Sequence, residues 1–174
     1  MQTTLRKKQA GSLGAATCGT PTQMGFTFHN VDDRPTPFDI VWCKWPNRGQ
    51  GLRPGPVARP VIVIHSEARE IFDTQTKFGW LVIQYGGDFN ERDKHMNLHI
   101  GTHEFRDLGL HKETVFRFDL GNRKALPWCE EYFVTQGYVK KQNLVCGRLN
   151  REQEARALAC FAVRELEYPV PLGK

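Results

Sequence analysis

Residues 40–66 contain no aspartate or glutamate, although these two residue types make up 19 of the 174 residues in the chain. The same stretch is rich in glycine and proline, and its basic residues are Lys44, Arg48, Arg53 and Arg59. A cationic loop that continues directly into a β-branched strand has the charge and the mobility to close over a polyanion. The absence of acidic residues therefore predicts a phosphate-containing ligand.

Paired cysteine motifs and long apolar runs are also missing. The five cysteines, Cys18, Cys43, Cys129, Cys146 and Cys160, are odd in number, scattered and never form a C-x-x-C pair. This pattern favours free thiols in a reducing cytosol over a disulfide framework or structural zinc. No apolar run approaches the ~20 residues of a membrane span, and the N-terminal residues lack the apolar core of a signal peptide. We expect a cytoplasmic protein with no membrane partner.

The length of 174 residues fits one domain with tails. The net charge of +5 permits a nucleic-acid partner without requiring one. We divide the chain into a flexible N-terminal arm (1–36), a β-barrel (37–135) and a C-terminal extension (136–174). The alternative for the arm is a folded segment anchored by Phe26 and Phe28.

Five short runs are rich in β-branched or aromatic residues and are bounded by Gly, Pro, Asp or Asn. They lie at residues 38–44, 60–65, 79–85, 96–101 and 114–120. None is followed by a helix long enough for a parallel crossover, so the chain is predicted to be mainly β, as a small antiparallel barrel or sandwich. Residues 66–77 fit a helical turn.

A helix is predicted over residues 151–167. Asn150 is a suitable N-cap with Gln153 three residues later, and prolines follow the predicted end. The residues that fall on one face at helical spacing are Ala155, Leu158, Ala159, Ala162 and Leu166. This amphipathic face is predicted to pack against the barrel, with partner binding as the alternative.

Arg59 is the first candidate for chemistry. It precedes Pro60, which favours an extended conformation, and it stands where the cationic loop enters a strand. A guanidinium held there can donate to two phosphate oxygens at once. The alternative is an arginine exposed at the barrel rim.

A second candidate is the turn Gly86-Gly87-Asp88-Phe89-Asn90 after the third strand. Paired glycines let a backbone approach a ligand closely, while Asp88 or Asn90 can orient a hydroxyl. Such a turn also suits any connection between strands. His65 is a lone histidine on the strand of Arg59, and a structural role is its alternative.

His95, His99 and His103 are spaced by four. Residues around His99 have the pattern of a strand, on which neighbouring members of the set are ~13 Å apart, so one zinc ion cannot bind all three. No metal site is predicted. Among the aromatic residues, Trp45 before Pro46 and Tyr85 at the strand edge are the candidates for stacking on a base.

The order of these elements resembles PemK/MazF-type growth inhibitors, the toxins of bacterial toxin–antitoxin modules. One part of the resemblance is Phe38-Asp39-Ile40-Val41-Trp42, a Gly/Pro loop, and Arg59-Pro60-Val61-Ile62-Val63-Ile64. The other is Leu108-Gly109-Leu110, then Thr114-Val115-Phe116-Arg117-Phe118-Asp119-Leu120, and Leu126-Pro127-Trp128. The resemblance covers residues 37–133, and its motifs are short.

The resemblance implies an SH3-like or CcdB-like barrel, usually a homodimer, with a protein antitoxin as partner. It implies a metal-independent endoribonuclease that cuts single-stranded RNA and needs no cofactor. The arginine at the start of the second strand in that family corresponds to Arg59, which would neutralise the phosphoryl charge. Asp88, Asn90 and His65 are weaker catalytic candidates. The expected RNA-binding residues are Lys44, Trp45, Arg48, Arg53, Tyr85 and Gly87.

The chain departs from the family at one position. Members of the family carry Thr or Ser just after the third strand, where this sequence has Gly86-Gly87-Asp88. Two alternatives therefore stay open: a barrel of the same fold that binds RNA or a protein without cleavage, and a poison of a protein target such as gyrase.

Overall fold

A computed structural model describes residues 25–47, 49, 51–72, 74–88, 97–135 and 143–167. Within them the chain forms one curled, antiparallel, half-barrel sheet and a C-terminal helix. The strands are β1 (Asp39–Lys44), β2 (Ala58–Ile71), β3 (Thr76–Gly87), β4 (Leu98–Ile100), β5 (Thr114–Phe116), β6 (Arg123–Pro127) and β7 (Val145–Arg148), and the helix is α1 (Arg151–Glu167). The prediction of a mainly β protein with a C-terminal helix is confirmed.

The order of strands in the sheet is β4-β5-β3-β2-β1-β7, with β6 also paired to β3. Strand β3 has two neighbours on the same side because it pairs with β6 through Trp80 to Gln84 and with β5 through Gly86 and Gly87. The end of β3 is therefore beside β5 and opposite the start of β2. This junction positions the candidate site.

Successive residues of β1 and β2 are buried on opposite faces of the sheet. Ile40, Trp42 and Ile62 belong to one apolar cluster, which also includes Leu98 and Phe116. Val41, Val61 and Val63 belong to a second cluster, which also includes Leu126, Trp128 and Tyr132. Because both faces are covered, these strands appear in the sequence as continuous apolar runs.

Each of the five predicted strands overlaps one of β1 to β5, although β4 and β5 are shorter than predicted. The helical turn predicted within residues 66–77 is wrong. Strand β2 continues to Ile71, and β3 starts at Thr76 after a turn. The hairpin is favoured because Ile71 and Phe78 are both buried, and because Arg69 lies opposite Phe78 in the ladder.

The bounds and the cap of α1 are confirmed. The Asn150 side chain accepts a hydrogen bond from the Gln153 amide at 2.9 Å, and the Gln153 side chain accepts one from the Asn150 amide at 2.9 Å. This reciprocal capping box satisfies two backbone donors at the start of the helix.

The predicted packing face of α1 is wrong. Ala155, Leu158 and Ala159 are exposed, whereas Gln153 and Ala157 are buried. The helix is docked by a polar network, in which the Glu104 carboxylate accepts from Gln153 at 3.0 Å and from Arg156 at 2.8 Å. The Phe161 ring contacts Phe118 with their centroids 4.3 Å apart. Alanines offer little area to bury, so this network and the phenylalanine contact decide the orientation of the helix.

Residues 25–36 of the predicted arm pack against the sheet. Phe28 forms a bridge with Cys129 and stacks on Phe78, and Phe26 contacts Tyr132. The packed structure thus begins before residue 37, and Phe26 and Phe28 anchor residues 25–36 as the alternative interpretation of the arm expected. Residues 1–24 lie outside the described residues.

In the predicted C-terminal extension, β7 joins the same sheet beside β1. No helix within the described residues is long and apolar enough to span a membrane.

Candidate nucleic-acid interface

A cleft of about 210 Å³ lies where the start of β2 meets the end of β3 and the segment that leads into β5. The side chains that define its chemistry are Trp42, Arg59, Asp88, His111, Lys112 and Thr114. They come from four separate parts of the chain, which the sheet brings together. The cleft combines cationic, imidazole, carboxylate and hydroxyl groups within one small volume.

Arg59 is the second residue of β2 and lies opposite Cys43 of β1. It is exposed, while the next residue, Pro60, is buried. The backbone of Arg59 is thus fixed in the ladder while its guanidinium remains accessible to a ligand. The strand supplies the rigid support that a loop arginine would lack.

The glycine pair at the end of β3 is explained largely by packing. A Cβ atom on Gly86 would lie 2.7 Å from the Pro60 carbonyl oxygen and 2.7 Å from a ring carbon of Phe116. On Gly87 it would lie 2.7 Å from a guanidinium nitrogen of Arg117. Glycine at position 86 therefore allows β2, β3 and β5 to meet closely at the floor of the cleft.

We expect Gly86→Ala to lower the free energy of unfolding by about 1–3 kcal/mol, because the added methyl group meets backbone that cannot move aside cheaply. Gly101→Ala is the matched control, since its new methyl group would find nothing closer than 3.7 Å. Urea unfolding of both variants measures the difference. Equal stability of the two variants would contradict the packing explanation.

Asp88 follows β3 and forms an ion pair with Lys112, with 2.6 Å between carboxylate oxygen and Nζ. The hydrogen bond and the charge of Lys112, with smaller contributions from Arg59 and Arg117, hold the pKa of the Asp88 carboxyl below its usual value. The carboxylate is therefore a weaker proton acceptor than an ordinary aspartate. Both side chains are about two-thirds exposed, at 67% and 69%, so solvent screens the pair and its contribution to stability is small.

His111 also lines the cleft and is next to Lys112 in the chain. Its ring stacks on Trp42, with the centroids 4.9 Å apart and the planes at 30°. Trp42 is buried, so it fixes one face of an imidazole that is otherwise exposed. Beyond His111, the buried Thr114 hydroxyl donates to the Lys112 carbonyl at 3.0 Å. Thr114 thus supplies a hydroxyl in the cleft, although it is not at the position where the family resemblance expects one.

Only some of the predicted catalytic residues lie in the cleft. Arg59 and Asp88 share the cleft, and Asn90 lies outside the described residues. His65 is exposed, six residues further along β2, or ~20 Å at the usual rise of a strand. Its imidazole lies 3.5 Å from the Glu67 carboxylate, and His65 is not among the residues that line the cleft.

The predicted RNA-binding residues likewise do not all lie in the cleft. Gly87 lines the cleft, whereas Trp45 packs against the second apolar cluster and meets Tyr85 edge-on, with centroids 5.2 Å apart. Lys44 is half-buried, Arg53 is exposed on the loop, and Arg48 lies outside the described residues.

The described part of the cationic loop is anchored to the end of β1 and to Tyr132. The Gly55 amide donates to the Lys44 carbonyl at 3.1 Å, and the Tyr132 hydroxyl donates to the Leu52 carbonyl. A Cβ atom on Gly55 would lie 2.3 Å from the Trp45 carbonyl oxygen, so only glycine fits this contact. The loop is therefore held on both sides of Arg53, at Leu52 and at Gly55.

Among the three spaced histidines, His99 is half-buried in β4, His103 is exposed in the following turn, and His95 lies outside the described residues. The His99 imidazole lies 3.8 Å from the Glu113 carboxylate. In the part of the chain that the structure describes, no group of three or more His, Cys, Asp or Glu side chains is arranged to hold a metal ion. The described cysteines, Cys43, Cys129, Cys146 and Cys160, form no disulfide bond with one another.

The sequence was compared with family models and with curated proteins. No family model matches it, and no curated protein matches it significantly. The resemblance to PemK/MazF-type toxins thus rests on the short motifs around Arg59 and in residues 108–128, and it stays a prediction.

Proposed function

We propose that the protein is a PemK/MazF-like, metal-independent endoribonuclease that cuts single-stranded RNA in this cleft. The observation that carries the proposal is the meeting of Arg59 with His111 and Lys112. Arg59 was singled out by the resemblance, whereas the other two residues come from a distant part of the chain. Together they supply the charge stabilisation and proton transfer that cleavage of a phosphodiester requires.

The charges of the cleft suit a phosphodiester. The Arg59, Lys112 and Arg117 side chains are near enough to Asp88 to affect its pKa, so three cations surround one carboxylate. The Asp88–Lys112 pair is exposed and the ammonium group has three donors, so a phosphate can bind Lys112 while the pair with Asp88 is kept. Arg59 adds a planar guanidinium that binds two oxygens of the same phosphate.

In the proposed reaction, neutral His111 accepts the proton of the ribose 2′-hydroxyl. The 2′-oxygen forms a bond to phosphorus, and the bond from phosphorus to the 5′-oxygen breaks. The leaving 5′-oxygen takes a proton from the Lys112 ammonium, and Arg59 stabilises the additional negative charge on the phosphoryl oxygens during the step. The products are a 2′,3′-cyclic phosphate and a 5′-hydroxyl, with no change of oxidation state.

The proposal gives the role of base to His111 rather than to Asp88, the catalytic candidate that the sequence suggested in this cleft. The reason is that the cationic neighbours of Asp88 lower its pKa and weaken it as a proton acceptor. Asp88 instead positions Lys112 through their ion pair. The same proposal includes an SH3-like or CcdB-like fold for the curled sheet, a homodimer, and a protein antitoxin as partner.

The second candidate is RNA binding without cleavage. It is favoured by the Gly86-Gly87-Asp88 sequence, which replaces the hydroxyl expected after the third strand, and by the engagement of the Thr114 hydroxyl with the Lys112 carbonyl. In this case the cations of the cleft would hold the phosphate, and no proton transfer would follow.

Incubation of the purified chain with a long single-stranded RNA in excess EDTA tests the proposal. We expect fragments that carry 2′,3′-cyclic phosphate and 5′-hydroxyl ends, because no metal-bound water takes part. Mass spectrometry of the fragments identifies both ends. Intact RNA that nevertheless binds the protein would favour the second candidate, and cleavage that requires Mg²⁺ would contradict the proposed reaction.

A further inference from the structure

A second cavity adjoins the cleft. It has a volume of about 390 Å³ and is lined by Asp88, Thr102, Phe105, His111, Lys112 and Glu113. Asp88, His111 and Lys112 also line the cleft, so they form a shared wall between the two spaces. A phosphate held at Arg59 would therefore have room for an adjoining nucleoside in the second cavity.

The two spaces differ in chemistry. The cleft holds Arg59 and the shared lysine, which suit a phosphate, whereas the second cavity adds the half-buried ring of Phe105 and the carboxylate of Glu113. An aromatic side chain provides a stacking surface for any base. A carboxylate only accepts hydrogen bonds, so it selects bases by their donors.

The Glu113 carboxylate is held in a defined orientation. One of its oxygens accepts a hydrogen bond from the Thr102 hydroxyl, and the other lies 3.8 Å from the His99 imidazole. The side chain is 36% exposed, so it remains accessible from the cavity. Each carboxylate oxygen has about two acceptor positions, which leaves capacity on both for a ligand.

We propose that this cavity is a guanine-specific subsite, in which Glu113 accepts hydrogen bonds from the N1–H and 2-amino groups of a guanine that stacks on Phe105. The inference rests on the proposed function, since it places this base beside the phosphate bound at Arg59. Guanine presents two adjacent donors on its Watson–Crick edge, which match two carboxylate oxygens. Adenine, cytosine and uracil each present one donor group next to an acceptor, and that acceptor would face a carboxylate oxygen.

The test uses short 2′-O-methyl oligonucleotides, which lack the attacking hydroxyl and so are not cut during a binding measurement. Fluorescence anisotropy compares an oligouridylate with oligomers that contain a single guanosine, inosine or adenosine. We expect guanosine to improve the affinity about tenfold, as a good bidentate contact does. Inosine, which lacks the 2-amino group, should lose most of that gain, and adenosine should show little gain.

Glu113→Gln should lose most of the guanosine preference, and Thr102→Val should lose part of it because the carboxylate is no longer oriented. Removing a negative charge strengthens binding to any polyanion, so the measured quantity is the ratio of guanosine to uridine affinities. Retained oligouridylate affinity shows that each variant is folded. Glu130→Gln is the matched control, because Glu130 is exposed beside Thr27 and outside both cavities.

The outcomes separate this inference from the proposed function. Oligouridylate binding without a gain from guanosine overturns the subsite, and RNA cleavage that is lost in Arg59→Ala leaves the proposed function intact. A guanosine preference that survives Glu113→Gln also overturns the subsite. If no oligonucleotide binds, the proposed function fails and the subsite fails with it.

Discussion

Arg59→Ala is expected to lower the rate of RNA cleavage by about a hundredfold or more, the usual cost of removing one group that stabilises charge in the transition state. The fold should survive, because the Arg59 side chain is exposed while its backbone pairs with Cys43. Much of the RNA affinity should also survive, since Lys112 and Arg117 remain. Single-turnover kinetics with protein in excess separates the chemical step from binding.

Arg59→Lys should recover little of the lost rate, because a point charge does not reproduce a bidentate contact with two phosphoryl oxygens. Arg69→Ala is the matched control on the same strand. Arg69 is exposed and pairs with Glu67, away from the cleft. If Arg59→Ala cuts RNA as fast as the wild type, the proposed mechanism is wrong; if Arg69→Ala loses as much rate, the effect is not specific to the cleft.

The strands could be predicted where apolar residues occur in unbroken runs. Strand β1 and residues 60–63 of β2 are buried on both faces, and β3 is buried at most positions from Phe78 to Gly86, so these sequences are rich in Val, Ile and aromatic residues. Strand β6 was missed because it begins with Arg123 and Lys124 and ends in a proline. Strand β7 contains Gly147, and both strands depend on pairing with distant partners rather than on their own propensity.

The helix shows the limit of a periodic pattern. Its start follows from local capping by Asn150 and Gln153, which a sequence reveals directly. Its buried face depends instead on Glu104, which lies far away in the chain and attracts Gln153 and Arg156. Tertiary hydrogen bonds thus outweigh the free energy gained by burying the alanine face, because alanine side chains have little apolar area.

Only part of the candidate site could be predicted from the sequence. Arg59 stands out because a cationic loop precedes it, and Asp88 because a glycine pair does. His111 and Lys112 have no local signal beyond their position just before a strand. They reach the cleft because β5 pairs with Gly86 and Gly87 at the end of β3, a long-range contact that spacing along the chain does not reveal.

His111→Gln is expected to lower the rate of cleavage by roughly a hundredfold to ten-thousandfold, the range for loss of a general acid or base. Glutamine keeps a polar, planar side chain beside Trp42 but cannot take up the proton of the 2′-hydroxyl. RNA affinity should change little, because the cations of the cleft are intact. Cleavage assays and 2′-O-methyl RNA binding measure the two quantities separately.

The pH dependence identifies the role of His111 more sharply than the rate does. An imidazole accepts a proton only in its neutral form, so a base at His111 should give kcat/KM of the wild type a limb that rises with pH. That limb should vanish in His111→Gln, while His103→Gln, which changes an exposed histidine outside the cleft, should retain it. A profile that is unchanged in His111→Gln would assign the base to another group and leave His111 as a packing partner of Trp42.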